Sequence, residues 1–179
     1  DLAMFQEGLN FEKIDRILNV GTDLTQAILN CEKPTIAQIQ GSVIGYGCIL
    51  SMACDFRIVA DKPGLFFQLP ELNLGIYPGT GATAAPLKTL GYLHTQEMLL
   101  TGDKYPLDVL DKWGVITKIV PIEELGKVTK KFAKNIAKAD PNMVLMAQKS
   151  LKLMQSSSID QSIQIEKQFA YYYFNTAFK

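Results

Sequence analysis

Histidine is almost absent, with His94 alone among 179 residues. The three cysteines, Cys31, Cys48 and Cys54, form no C-x-x-C pair. Neither a zinc site nor a disulfide framework is therefore indicated, and a reducing, cytoplasmic setting is expected. Arginine is nearly as scarce: Arg16 and Arg57 are the two among 18 basic residues. A bidentate clamp on phosphate or carboxylate normally uses arginine, so anion contacts are expected from lysines and backbone N–H groups. Neither sign of charge is in excess, 18 basic against 18 acidic, which removes the global field that draws a chain to nucleic acid or to an anionic membrane. No apolar run approaches the ~20 residues of a membrane-spanning helix, and no signal peptide is visible. The chain also lacks an initiating methionine, opening Asp1-Leu2-Ala3-Met4; it reads as a fragment, which leaves an organelle matrix open as an alternative compartment.

What is present suffices for one globular domain, since 47% of the residues are apolar and a chain of this length buries a sizeable core. Phe5 to Leu29 has apolar residues at helical spacing and a glycine, Gly21, followed by Thr22 and Asp23 as candidate N-caps. Two helices are expected there. Thr35–Gln40, Phe56–Ala60, Leu65–Phe67 and Ile116–Val120 read as strands, and Cys48–Cys54 as a short buried helix. Short helices are expected at Ala82–Leu90 and Thr95–Leu100. Beyond Lys104 helices dominate. One carries Leu125, Val128, Phe132 and Ile136 opposite Lys127, Lys130, Lys131, Lys134 and Lys138; another has a stripe of Val144, Ala147, Leu151 and Met154; a last one runs toward Phe174. Strands early and helices late make the class α/β or α+β.

Two stretches could carry chemistry. Gly45-Tyr46-Gly47 runs directly into the apolar Cys48–Cys54 segment. A glycine turn entering a helix leaves N–H groups at the positive end of the helix dipole, where an oxyanion is stabilised; a tight turn with no ligand has the same pattern. The second stretch is Leu69-Pro70-Glu71-Leu72-Asn73-Leu74-Gly75-Ile76-Tyr77-Pro78-Gly79-Thr80-Gly81. Glu71 is a single acid in apolar surroundings, which raise a carboxyl pKa toward neutrality and suit a group that takes and returns a proton. An exposed loop glutamate is the plainer alternative.

Together these stretches, with Lys33-Pro34-Thr35-Ile36-Ala37, Ala53-Cys54-Asp55-Phe56-Arg57-Ile58, Leu99-Leu100-Thr101-Gly102 and Trp113-Gly114-Val115-Ile116 in order, resemble the enoyl-CoA hydratase/isomerase (crotonase) family. The resemblance spans about residues 33 to 154. It implies a spiral of ββα units over residues 1–120, a helical trimerisation region over 121–179, and assembly as trimers or hexamers. It also implies an acyl-CoA thioester as ligand, with no further cofactor, no metal, no nucleic acid and no membrane partner. Carried over residue by residue, the backbone N–H of Tyr46 becomes one donor to the thioester oxygen, in the place the family usually gives to glycine, with its ring expected at the acyl pocket. Asp1-Leu2 looks like the end of the family segment that holds the other donor, which would lie upstream. Glu71 becomes the acid/base, and Gly45, Gly47, Ile49, Pro70 and Gly79 line the substrate site.

One departure decides between reactions. Two-glutamate hydratases have glutamate directly after the cysteine, where this chain has Ile49. Hydration is helped by two carboxylates on one water, whereas moving a double bond needs one base. Isomerisation is therefore expected ahead of hydration, with a catalytically silent binding or assembly subunit as the third possibility. Gly79 stands where some relatives place an aspartate for dehalogenation or dienoyl isomerisation, and offers no side chain for those reactions. His94 is expected to be a surface or capping residue, and Trp113 and Tyr171–Phe174 core or subunit-contact residues.

Overall fold

The computed structural model describes residues 11–149, 151–152, 160, 163–164, 167–168 and 170–171. The chain before residue 11, Met154 and the Tyr172–Phe174 aromatics lie outside the described residues.

Helix α1 (Phe11–Leu29) is continuous through Gly21, where the sequence suggested a break. The glycine serves close approach instead. A Cβ there would stand 2.6 Å from the Thr80 methyl, and Thr22, rather than capping a new helix, donates its hydroxyl to the Gly79 carbonyl at 3.2 Å. The helix thus carries a loop that lies more than fifty residues on.

After Pro34 the chain winds through short strands and helices in the order β1 (Ile36–Ile39), β2 (Val43–Ile44), α2 (Tyr46–Ala53), β3 (Phe56–Asp61), β4 (Phe66–Gln68), α3 (Ala84–Thr101), β5 (Tyr105–Pro106), α4 (Leu107–Lys112), β6 (Lys118–Pro121) and α5 (Leu125–Ile136). Strands β1, β3 and β6 form one sheet, ordered β1-β3-β6 and parallel throughout, and β2, β4 and β5 form another, ordered β2-β4-β5, in which β5 runs antiparallel to β4. Parallel strands need a crossover, and α2 and α3 supply it. Both helices face the main core, where Cys48, Met52, Phe67, Leu69 and Met98 have no exposed surface. The two helices expected on either side of residue 91 are present: the span α3 is broken at Gly91, whose φ of 71° and ψ of 178° are not helical.

Helix α5 covers the outer face of the first sheet, burying Leu125 with Ile58 and Ala60 and setting Phe132 edge-on to Phe56 at 5.0 Å; its lysines are exposed, as expected. Residues 141–149 form the next helix. Its inward face differs from the predicted stripe: Gln148 is buried and donates to Asp55 at 2.8 Å, while Leu151 is 67% exposed. Asp55 also accepts from the Thr35 N–H and hydroxyl, both at 2.8 Å, and pairs with Lys88 at 3.4 Å. A polar anchor, invisible to hydrophobic periodicity, therefore fixes this helix. His94 stacks on Trp113 at 4.1 Å, with Tyr105 beyond it, a packing role.

Candidate functional site

The site begins with the backbone at Gly45. Its φ of 56° and ψ of −124° belong to glycine, because a Cβ disfavours positive φ. Gly45 takes up the reversal between β2 and α2, so Tyr46 is free to start the helix with ordinary dihedrals. The turn is pinned from the neighbouring strand: the Gly45 N–H donates to the Gln68 carbonyl at 2.9 Å, and the Gly45 carbonyl receives the Ile49 N–H at 3.1 Å. As the first residue of α2, Tyr46 has no carbonyl one helical turn back to accept its N–H. That N–H sits at the positive end of the helix.

Glu71 comes to the same place from the neighbouring strand of the same sheet. Strand β4 pairs with β2 in parallel, Ile44 opposite Gln68, so the chain leaving β4 arrives beside the chain leaving β2. Glu71 caps a short 3-10 turn, Leu72–Leu74, that closes on Gly75. Its Oε1 lies 3.1 Å from where a Cβ on Gly45 would stand. The carboxyl therefore rests against the bare face of the glycine, one residue from the Tyr46 N–H. Its other oxygen, Oε2, is buried and has no hydrogen-bond partner among the described residues. Burial pushes the Glu71 carboxyl above the ordinary glutamate range, while a hydrogen bond to its own backbone N–H pulls it partly back. Behind it, burial first and the Glu71 charge second push the Cys48 thiol up to about 12, so Cys48 stays neutral. The constellation is a raised carboxyl beside a helix-terminal N–H, suited to holding a proton opposite a developing oxyanion.

The structure brings Gly45, Tyr46 and Glu71 together. Gly47 lies at the exposed start of α2 beside Val43, and Pro70 is half-buried, its carbonyl accepting the Leu74 N–H at 3.1 Å. Ile49 is turned inward, 1% exposed, among the residues of the main core. Gly79 is also buried: a Cβ there would lie 2.5 Å from Leu18 Cδ2 and 2.6 Å from the Ala170 methyl. A side chain at Gly79 thus meets α1 and the C-terminal segment. Replacing Gly79 by alanine is expected to cost about 1–3 kcal/mol through overpacking, measured by urea unfolding.

The Tyr46 side chain runs toward α1. Its hydroxyl donates to the Gly21 carbonyl at 2.7 Å and lies 3.3 Å from Thr25 Oγ1, which itself donates to the Thr80 carbonyl at 2.7 Å. Burial raises the phenol pKa against the opposing Thr25 hydrogen bond, keeping the phenol a neutral donor. One residue thus offers its N–H outward and anchors itself inward. Sequence reasoning missed Gly21, Thr22, Thr25 and Thr80; a lone glycine inside a helical pattern was the available signal, and it marked close packing. Tyr46→Phe is expected to lower stability by about 1 kcal/mol in urea unfolding, and to slow turnover far less than loss of the Glu71 carboxylate.

Among the described residues, no group of three or more His, Cys, Asp or Glu side chains could hold a metal ion, and no helix is long and apolar enough to cross a membrane.

Known proteins resemble this chain in sequence and in fold. The family model described as enoyl-CoA hydratase/isomerase matches residues 2–179. A short-chain-enoyl-CoA hydratase of Clostridioides difficile is 34% identical over 137 residues, which cover 76% of this chain and 86% of that protein. A probable mitochondrial enoyl-CoA hydratase of Dictyostelium discoideum is 33% identical over 144 residues, covering 80% of this chain but 51% of that protein. The chain therefore spans about half the length of some curated relatives it matches. The crystal structure of an enoyl-CoA hydratase/isomerase from Xanthobacter autotrophicus Py2 superposes with a TM-score of 0.83 at 22% identity, covering 95% of this chain and 62% of that one. At that identity the likeness shows the fold, the ββα spiral with helices following.

Proposed function

The chain belongs to the enoyl-CoA hydratase/isomerase family, and from that premise we propose that it shifts the double bond of an enoyl-CoA thioester with Glu71 as the single acid/base. The thioester oxygen sits on the Tyr46 N–H and on a second donor outside the described residues. Glu71 removes a proton from C2, the C–H electron pair enters the enolate, and the N–H groups carry the negative oxygen. The same carboxyl then delivers the proton to C4, the double bond moves from C3–C4 to C2–C3, and the carbonyl re-forms. No water is gained or lost. Preorganised donors of this kind contribute about 2.7–4 kcal/mol each, and a positioned proton carrier about 10²–10⁴-fold. A carboxyl already raised by burial is matched to both halves of that task.

The single observation behind isomerisation is residue 49, where isoleucine, buried at 1% exposure in the main core, stands at the sequence position that holds glutamate in two-glutamate hydratases. Hydration stands as the second reading, favoured by the names of the relatives, several of which are enoyl-CoA hydratases. Assembly as a trimer or hexamer belongs to the same proposal and is supported by the exposed Met143, Met146 and Leu151 on the helical region. Incubating the full-length protein separately with a 3-enoyl-CoA and a 2-enoyl-CoA distinguishes the reactions by product mass. A 2-enoyl product of unchanged mass from the first substrate is expected. A product heavier by one water from the second would favour hydration, and binding without any product a silent subunit.

A further inference from the structure

The Glu71 turn is tied to the body of the protein in an unusual way. Leu69, before it, has no exposed surface, and Ile76 and Tyr77, after it, pack on Ile14 and Leu18. Between them the chain is open: Leu72 is 37% and Leu74 50% exposed. Apolar burial is therefore too slight to set where Glu71 stands. The turn satisfies its own backbone, with the Glu71 carbonyl accepting from Leu74 at 3.1 Å and Ile76 at 2.9 Å, but these bonds are internal and move with it.

Two side-chain amides reach across to the end of α3, from either side of Glu71. Gln68 Nε2 donates to the Gly102 carbonyl and Asn73 Nδ2 to the Thr101 carbonyl, both at 2.9 Å. The last carbonyls of a helix have no partner within it, so each amide fills a vacancy that α3 leaves. Gly102 has φ 63° and ψ 20°, and a Cβ on it would lie 2.5 Å from Asn73 Nδ2 and 2.8 Å from Asn73 Cγ. The amide occupies the space that any other residue would fill. The far side of the joint is fixed: Met98 is wholly buried, the Gly102 N–H donates to its carbonyl at 3.2 Å, and the Thr101 hydroxyl lies 3.0 Å from the Tyr105 hydroxyl.

We propose that Gln68 and Asn73, docked on Thr101 and Gly102, are positioning residues that hold the Glu71 carboxyl against Gly45. Gln68 serves twice, since its backbone carbonyl also receives the Gly45 N–H. The donor turn and the carboxyl are thereby referenced to one helix end. This inference rests on Glu71 being the acid/base proposed above.

The test uses the full-length protein and a 3-enoyl-CoA, with initial rates taken across pH well below the unfolding temperature. Asn73→Ala, Asn73→Asp, which keeps the bulk but loses the donor, and Gly102→Ala, which evicts the amide, are compared with Gly64→Ala and Gly114→Ala. The two control glycines also have positive φ, 76° and 73°, but nothing lies within 4 Å of an added Cβ. All five variants are expected to lose some thermal stability. The three at the joint are expected to lose kcat about tenfold to a hundredfold, as misplacement of a reacting group does, with KM little changed and the acid limb of the pH profile moved lower as the carboxyl becomes better solvated. Gly102→Ala combined with Asn73→Ala is expected to be no worse than either alone, because one joint is broken once. Unchanged kcat and pH profile at the joint, or equal losses in the controls, would overturn the clamp while leaving Glu71 in place. Full activity in Glu71→Gln would overturn both.

Discussion

Glu71→Gln is expected to abolish double-bond isomerisation and, at neutral pH, to make the protein more stable. The first effect follows from removing the proton carrier proposed for the site, a loss of about 10²–10⁴-fold in kcat. The second follows from burial. A carboxyl whose folded pKa is raised binds its proton more tightly folded than unfolded. Its contribution is fully present below the ordinary glutamate value of about 4.3 and is lost as pH rises through the higher folded value. The wild type must therefore either ionise a buried carboxyl with one oxygen unpartnered among the described residues or hold a proton there as pH rises, and glutamine faces neither cost. The melting temperature of Glu71→Gln should exceed that of the wild type by a few degrees at pH 7 to 8 and converge with it near pH 4. A variant that loses both activity and stability would show Glu71 to be a structural residue.

Ile49→Glu is expected to be the most destabilising of the substitutions considered. Restoring the glutamate of two-carboxylate hydratases at this position would place a charge among Met52, Phe67 and Leu69, each without exposed surface. An uncompensated buried charge costs about 3–5 kcal/mol, unless the group stays protonated. Urea unfolding is expected to show a loss of that size and product analysis no gain of hydration. A folded variant that adds water to a 2-enoyl-CoA would place residue 49 at the substrate and bring the chain to the hydratases.

Much of the site was legible because its signals are local. The positive φ at Gly45 needs a glycine, the helix start follows from the apolar run after it, and Glu71 stands out as a lone acid among apolar neighbours. The spiral follows from short strands punctuated by turns and helices. What stayed hidden depends on contacts distant in sequence. Gly21 looked like a helix break because nothing local reveals that the Thr80 methyl lies against it. Gln148 lies outside the apolar stripe, and Asp55, 93 residues away, draws it inward. Nothing near Gln68 and Asn73 in sequence reveals that Gly102 and Thr101 accept their side-chain amides. Burial of Ile49 fits its apolar character, whereas packing at Gly79 arises from Leu18 and Ala170 at opposite ends of the chain.

The most direct test of Glu71 as the base is hydrogen exchange at C2 of a saturated acyl-CoA in deuterium oxide, followed by mass spectrometry. No double bond moves and no water adds, so the signal reports enolate formation alone. The full-length wild type is expected to incorporate deuterium at C2, and Glu71→Gln to bind the same thioester without incorporating it. Equal exchange in both, or tight binding by the wild type with no exchange, would contradict the assignment of Glu71 as the group that moves the proton.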